Sequence, residues 1–339
     1  MKAVVLVGGF GTRLRPLTET VKKELLPLVD RPILDHVLDH LARHGVDEVV
    51  LSSPYLEAAF HPFIEARRGH PAITWITESQ PLGTGGAVVN ALDELGDEPF
   101  FALNGDILSD LDLTAMLRFH REREAVVTIS LHHVEDARQF GLVVADRDGR
   151  VWEFREKPTE PMPGDVNAGT YVLDPAALRV WTAEGELSIE REVFPAIIAG
   201  GGAVCGFPAE AYWIDLGTPE KYLQAHFDLL DGKVKGLRYA APWIAPTAVV
   251  DAAARIGRWV AVGAEARVGP DARVDDSVIH PGAAVGPGAV VGRTIVGPGA
   301  HVGAGATVEG CVLGAGARIA DGLDLVGERV GTDAEAPPA

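Results

Sequence analysis

The sequence predicts a mixed, mostly parallel Rossmann-like α/β sheet over residues 1–235. A left-handed parallel β-helix over residues 240–328 and a flexible tail at 331–339 are predicted to follow it. Three observations lead there. Apolar strand-like runs alternate with helix-like runs through the N-terminal part, a pattern that gives parallel strands with helices packed on both faces. A six-residue aliphatic repeat takes over after Pro242. The first apolar run, Ala3–Val7, leads straight into a glycine-rich turn formed by Gly8, Gly9 and Gly11.

Taken in order, Ala3–Val7 reads as a buried strand. Residues 33–44 read as a helix, because Leu34, Val37, Leu38 and Leu41 fall on one face. Val49–Ser52 and Ile73–Thr77 are strands, residues 84–95 a helix and Phe100–Leu103 a strand. Residues 113–122 are helical, and Ala125–Leu131 and Val151–Phe154 are strands. In such sheets ligands bind beyond the carboxyl ends of the strands. The motifs that matter lie there: the glycine turn, Asn104-Gly105-Asp106, and Glu156-Lys157-Pro158.

The repeat runs through Ile244, Val250, Ile256, Val262, Val268 and Val274 in steps of six, then continues after a step of five with Ile279, Val285 and Val291. A second step of five leads to Val296, Val302 and Val308, and a third to Leu313 and Ile319. Glycine follows many of these positions, as the hexapeptide rule of a parallel β-helix demands. One short strand cannot bury its aliphatic residue alone; stacked coils gather such residues into an interior column.

The 339 residues suffice for two domains, and 47% hydrophobic with 23% charged residues describes a globular chain. A formal net charge of −18 argues against nucleic acid or an anionic membrane as a partner. Anionic ligands must then be held by local positive charge. Cys205 and Cys311 fit no disulfide framework or metal spacing and suit a reducing compartment. No apolar run reaches membrane-spanning length, and the chain enters a strand at once with no leader-like segment. A cytoplasmic protein is the expectation.

The glycine turn is the most informative feature. Glycines allow close backbone approach to a ligand, and consecutive N–H groups in such a turn make an anion-binding concavity. Arg13 and Lys23 add charge for phosphate. The spelling excludes the P-loop, which needs Gly-Lys-Ser/Thr, and the dinucleotide fingerprint, whose third glycine is replaced by Leu14. The stretch Gly8-Gly9-Phe10-Gly11-Thr12-Arg13-Leu14, followed by Lys23, resembles the signature of the sugar-1-phosphate nucleotidylyltransferases, with Glu24 where the signature has proline. The wording through Arg15-Pro16-Leu17-Thr18 looks most like the mannose-1-phosphate guanylyltransferase branch.

The resemblance implies a nucleotidyltransferase sheet and transfer of a nucleoside monophosphate from an NTP to a sugar-1-phosphate. Gly8, Gly9, Gly11 and Thr12 would then bind the nucleotide, Arg13 the triphosphate, and Lys23 the charge around the α-phosphate. Asp106, in Leu103-Asn104-Gly105-Asp106, and Asp215, in Trp213-Ile214-Asp215, each sit in a post-strand turn. Magnesium favours a few carboxylate oxygens plus substrate phosphates, so Asp106 and Asp215 are the candidate Mg2+ ligands. By the same resemblance Gly141 approaches the sugar, Glu156 and Asn167 bind its hydroxyls, and Lys157 holds its phosphate. Gly83 and Thr84 lead a helix beneath the base. Glu78 can accept both N1–H and N2–H of guanine, with Gln80 as the alternative reader, so GTP and mannose-1-phosphate are the leading substrates.

Three alternatives stay open: another base (dTTP, UTP, CTP or ATP) with glucose-1-phosphate or a different sugar, acyl transfer in the β-helix, or a non-catalytic regulatory relative. His36, His40 and His44 recur every four residues, and the amphipathic pattern places them on a solvated stripe rather than at a metal. In the β-helix, His280 and His301 fall at outward positions of the period. The repeat is read as structural and as favouring a homo-oligomer.

Overall fold

The computed structural model describes residues 1–336 apart from Tyr55, Leu56 and Arg68, and apart from the side chain of Glu57. The described chain forms two compact units. One joins Met1–Gly9 to His36–Trp213, and the other joins Phe10–Asp35 to Ile214 and the residues beyond it. The segment that carries Arg13 and Lys23 groups with the C-terminal part.

The first unit is built on a nine-stranded sheet: β1 (Lys2–Leu6), β2 (Glu48–Ser53), β3 (Ala72–Thr77), β4 (Phe100–Asn104), β5 (Val127–Val134), β6 (Gly141–Ala145), β7 (Val151–Glu156), β8 (Gly164–Leu173) and β9 (Val204–Pro208). Its order is β7-β6-β8-β4-β1-β2-β3, with β5 on β8 and β9 on β5. The pairs β1–β2, β1–β4, β2–β3 and β5–β9 are parallel. The pairs β6–β7, β4–β8, β5–β8 and β6–β8 are antiparallel. The sheet is mixed, as expected, but "mostly parallel" describes only its N-terminal side. The antiparallel side contains the β6–β7 hairpin, closed by a turn in which the Asp146 carboxylate accepts from the amides of Asp148 and Arg150. Val4, Phe100, Ala102, Ile129, Tyr171 and Leu173 lie in the core of this unit.

Helix α1 (Ile33–Arg43) follows the predicted period. The predicted helix at 84–95 is instead two helices, α2 (Gly83–Asn90) and α3 (Leu92–Leu95), meeting at Ala91. Helix α4 (Leu113–Glu122) starts where the Asp112 side chain accepts from Ala115 N.

In the second unit, helix α5 (Pro219–Leu230) is capped by the Thr218 side chain. Seventeen two- or three-residue strands then wind into three parallel sheets of six, six and five strands. Each strand pairs with the third strand after it, an arrangement consistent with a β-helix. The five-residue steps turn one corner, at Asp276, Arg293, Gly310 and Gly327, all with positive φ. At that corner Ser277, Thr294 and Cys311 stack inward. The Thr294 amide donates to Ser277 Oγ and the Cys311 amide to Thr294 Oγ1, each at 3.1 Å. This ladder satisfies backbone donors that the tight turn leaves without strand partners. The aliphatic column from Val262 to Ile319 is buried as predicted, and alanines such as Ala266, Ala283 and Ala300 fill the space beside it.

The predicted flexible tail is shorter than 331–339. Glu335–Ala336 pairs with Arg318–Ile319 and extends one sheet, so residues 331–336 belong to the coil stack. Residues 337–339 lie outside the described residues.

Candidate active site

In the first unit, several predicted residues gather at the carboxyl ends of neighbouring strands. β1 lies between β2 and β4, with Leu6 opposite both Ser52 and Asn104. Gly8 packs against Pro54 so closely that a Cβ there would lie 2.9 Å from the proline ring. Gly105 donates its amide to Leu6 O at 3.0 Å and backs onto Val5 and Val7. The glycine is needed for that approach, and it presents half-buried Asp106 at the end of β4 beside Gly8 and Gly9.

Glu78, just after β3, is 4% exposed, and both carboxylate oxygens are engaged within the protein. Ser52 Oγ donates to Oε1 at 2.9 Å and Leu82 N to Oε2 at 3.1 Å. Burial pushes its pKa up, against the two hydrogen bonds that favour the anion. Its carboxylate organises the 78–82 turn. Gln80 is exposed and donates Nε2 to Glu184 O at 3.0 Å.

The glycines at the start of α2 also have a structural task. The amides of Gly85 and Gly86 donate to Leu187 O, and a Cβ on Gly83 would sit 2.7 Å from that oxygen. Thr84 Oγ1 donates to Glu190 Oε2 at 2.7 Å, and Ile189 N donates to Thr84 Oγ1 at 3.0 Å. The 83–86 run thus fits the backbone of residues 187–189 into a groove.

The predicted sugar-phosphate residues form a row across β7, β6 and β8. Glu156 is paired with Gly141, and Gly141 lies one residue along from the Leu142–Val166 pair, which sets it beside Asn167. A Cβ on Gly141 would meet Phe154 Cζ at 2.6 Å and Glu156 Oε2 at 3.0 Å, so the glycine keeps the row open. Lys157 has a positive φ of 50, donates its amide to Phe140 O, and holds Nζ 3.4 Å from Glu156 Oε1.

Asn167 sits at a bulge, where the β8–β5 register shifts between Asn167 and Tyr171. Its Nδ2 donates to Tyr171 Oη at 2.7 Å, and its Oδ1 accepts from Gly169 N at 2.9 Å. Trp213 Nε1 anchors the same bulge on Ala168 O. Gly169, with φ near +70, lies against Asn104, so the bulge and the Asn104–Asp106 turn are neighbours. Glu190 and Tyr171 complete this network, and sequence reasoning assigned a role to neither. Tyr171 lies four residues after Asn167. Glu190 comes from a distant irregular helical turn, Ile189–Val193, with no pattern to mark it. Burial raises the Tyr171 hydroxyl well above its ordinary pKa, and the Glu190 carboxylate adds to this, so the phenol stays neutral.

The second unit holds the remaining residues. Gly11 adopts φ 61 at the start of a single 3-10 turn, Thr12–Leu14, and Thr18 Oγ1 donates to its carbonyl at 2.7 Å. Thr12 and Arg13 are exposed while Leu14 is buried. The guanidinium of Arg13 lies against Gly217: a Cβ there would be 2.5 Å from Arg13 Nη2 and 2.9 Å from Asp215 Oδ1. Lys221 Nζ reaches Asp215 Oδ2 at 3.4 Å. Lys221 went unremarked in the sequence because it lies one helical turn into α5. Lys23 is 15% exposed, with Nζ 3.9 Å from Oε1 of the buried Glu24.

The histidine stripe is corrected. His36 and His40 are 2% and 7% exposed and line a small cavity with Leu103, Leu108 and Leu111. The segment after β4 covers this side of α1, so the helix is buried on more than its aliphatic face. Desolvation lowers the His40 pKa to about 4. His280 does point out of its coil, but it is 1% exposed, since Tyr222 of α5 covers it with Oη 3.0 Å from Nε2. His301 is exposed as predicted. Among the described residues no helix is long and apolar enough to cross a membrane.

Residues 2–232 match the Nucleotidyl transferase family, and residues 240–333 match the GMPPB C-terminal domain. A mannose-1-phosphate guanylyltransferase of Mycobacterium tuberculosis is 40% identical over 291 residues, covering 83% of this chain and 80% of that protein. Mannose-1-phosphate guanylyltransferase 1 of Arabidopsis thaliana is 36% identical over 287 residues, covering 82% of this chain and 79% of its own. Among solved structures, HddC from Yersinia pseudotuberculosis complexed with GMP-PN superposes with a TM-score of 0.58 at 29% identity, over 66% of this chain and 97% of HddC. The chain belongs to the nucleotidyl transferase family, carries a GMPPB C-terminal domain, and takes its place beside the mannose-1-phosphate guanylyltransferases.

Proposed function

We propose that this enzyme transfers guanylate from GTP to mannose-1-phosphate, giving GDP-mannose and pyrophosphate. The observation that carries the reading is the similarity to mannose-1-phosphate guanylyltransferases across both modules. An intact Gly8–Arg13 turn, Lys23, Asp106 and Asp215 support catalysis over a regulatory role. A phosphate oxygen of mannose-1-phosphate attacks the α-phosphorus of GTP in line. The new P–O bond forms as the bond to the bridging oxygen breaks, and that electron pair leaves with pyrophosphate. Positioning and charge compensation supply most of the rate.

In this reading the amides of Gly8, Gly9, Gly11 and Thr12 receive the phosphates, and Arg13 offsets charge on the leaving pyrophosphate. Lys23 does so at the α-phosphate. Gly83 and Thr84 shape the floor under the base, and Glu78, with Gln80 as the alternative, reads it. Glu156, Gly141 and Asn167 present polar groups in a row for the sugar, and Lys157 meets its phosphate. Asp106 and Asp215 have the hard-oxygen chemistry that Mg2+ accepts, and Asp215 is already held in place by Lys221. The ion would neutralise phosphate charge.

The hexapeptide period supports a left-handed β-helix. Exposed Ile244 and Val249 on its first coil support a homo-oligomer. The free thiols of Cys205 and Cys311 support a cytoplasmic setting. The test is pyrophosphate release. The expected result is release from GTP that requires both mannose-1-phosphate and a divalent ion, with GDP-mannose identified by mass. Release that is independent of sugar phosphate would contradict the reading.

A further inference from the structure

The last coils of the β-helix grip the backbone of the glycine-rich turn. Arg329, in strand Arg329–Val330, donates from Nη1 to the carbonyls of both Arg13 and Arg15, each at 3.2 Å. Its Nη2 lies 3.8 Å from Glu220 Oε1 on the first turn of α5. The Thr332 amide donates to Glu19 Oε2 at 3.0 Å, and these Thr332 contacts hold the Glu19 carboxyl below its ordinary pKa. One coil earlier, a Cβ on Gly314 would meet Thr332 N at 2.8 Å and Pro16 Cβ at 3.1 Å, so the buried Pro16 seats where the coil lacks a side chain.

Residues 13–19 are thus fastened at three points to Gly314, Arg329 and Thr332. Within itself the segment is held by short-range bonds: the amides of Leu14, Arg15, Leu17 and Glu19 each reach a carbonyl three residues back, and Thr18 Oγ1 donates to Gly11 O. A turn closed only by such local bonds still has conformational entropy to lose on binding. An outside clamp that orders it beforehand lowers that cost. A guanidinium suits the task, because its planar fork can serve two carbonyls at once, whereas lysine offers a single ammonium on a flexible stem.

We propose that the C-terminal coil of the β-helix pre-orders the nucleotide-binding turn, with Arg329 as the positioning residue. The inference rests on assigning that turn to the triphosphate. It gives the repeat a part in nucleotide affinity, beyond the structural and assembly role read from the sequence.

The test compares full-length wild type with Arg329→Ala, Arg329→Lys, Glu19→Gln and the control Arg318→Ala, an exposed arginine on strand Arg318–Ile319 of a neighbouring sheet of the stack. Two readouts are taken: hydrogen exchange of peptides covering residues 10–20, and pyrophosphate release with GTP varied at saturating mannose-1-phosphate. In Arg329→Ala, exchange across residues 12–19 rises and KM for GTP increases roughly five- to thirtyfold, the loss of one or two hydrogen bonds, while kcat changes less. Arg329→Lys recovers part of the KM, Glu19→Gln moves the same way by less, and Arg318→Ala matches wild type.

Exchange and KM within about twofold of wild type in Arg329→Ala would overturn the proposal. An equal shift in Arg318→Ala would also overturn it. If Arg329→Ala does not fold, Glu19→Gln decides by the same two readouts, and wild-type values there count against the clamp. If wild type turns over no nucleotide with any sugar phosphate, the functional reading fails, and the exchange measurement still decides whether the coil orders the turn.

Discussion

Gly217→Ala separates catalysis from folding in the second unit. No positive φ requires glycine at position 217, so alanine is compatible with the backbone. What stands in the way are two side chains: the added methyl would lie 2.5 Å from Arg13 Nη2, 3.1 Å from Arg13 Cζ and 2.9 Å from Asp215 Oδ1. Ordinary contact begins at 3.4 Å, so the guanidinium must withdraw by roughly 0.9 Å. It is the far end of a flexible side chain and can move with little effect on the fold. Stability should stay within about 1 kcal/mol of wild type, partly because alanine restricts the unfolded chain. A displacement of this size at a charge-compensating group costs about ten- to a hundredfold in rate. Thermal melting and kcat/KM for pyrophosphate release check the two halves. Activity within about twofold of wild type would refute the placement of Arg13 at the reacting phosphates. A fall in melting temperature large enough to explain the activity loss would refute the argument that only the ends of the Arg13 and Asp215 side chains move.

Three further outcomes follow from the geometry. Asp106→Asn and Asp215→Asn should each lower kcat by at least about a hundredfold at ordinary magnesium, and near-normal turnover in either variant removes that residue from the metal site. Gly141→Ala should destabilise by about 1–3 kcal/mol, because its methyl overlaps Phe154, and should weaken mannose-1-phosphate more than GTP by displacing Glu156; equal effects on both KM values would contradict the row across β7, β6 and β8. Burial, with the nearby His226 charge adding to it, lowers the His280 pKa to about 3, so this histidine stays neutral when folded and gains a proton on unfolding below about pH 6.5. Its contribution is complete above that pH and is lost as pH falls toward the folded value, about 2 kcal/mol by pH 5. The decline in melting temperature from pH 7 to pH 5 should therefore be shallower in His280→Gln than in wild type, and parallel curves would contradict it.

The sequence made some features legible because they are local or periodic. Ala3–Val7 running into Gly8 and Gly9, and the aliphatic column from Val262 to Ile319, follow from strand alternation and a fixed repeat; Ile244, at the open end of the repeat, stays exposed. What escaped was long-range pairing. The strand Gly164–Leu173 carries the antiparallel side of the sheet, yet its partners Phe100–Asn104 and Val127–Val134 lie far off in sequence. Glu78 had the right chemistry to read guanine. Only packing reveals that Ser52 and the Leu82 amide engage both its oxygens. His36, His40 and His280 were read from the period of a single element, which cannot show that a neighbouring segment covers the polar face. Glu190, Lys221 and Arg329 act through contacts that no motif spells. The glycines of 83–86 were read as a close approach to a ligand; the contact that no motif shows is with the backbone of residues 187–189.

The most direct measurement of the central claim is kcat/KM for GTP, ATP, dTTP, UTP and CTP, each tested with mannose-1-phosphate and glucose-1-phosphate, with the nucleotide sugar identified by mass. The account predicts the highest value for GTP with mannose-1-phosphate, at least about a hundredfold above the pyrimidine nucleotides, as expected where a site's polar groups are left unpaired by the wrong base. A higher kcat/KM for dTTP or UTP than for GTP with either sugar phosphate would contradict it.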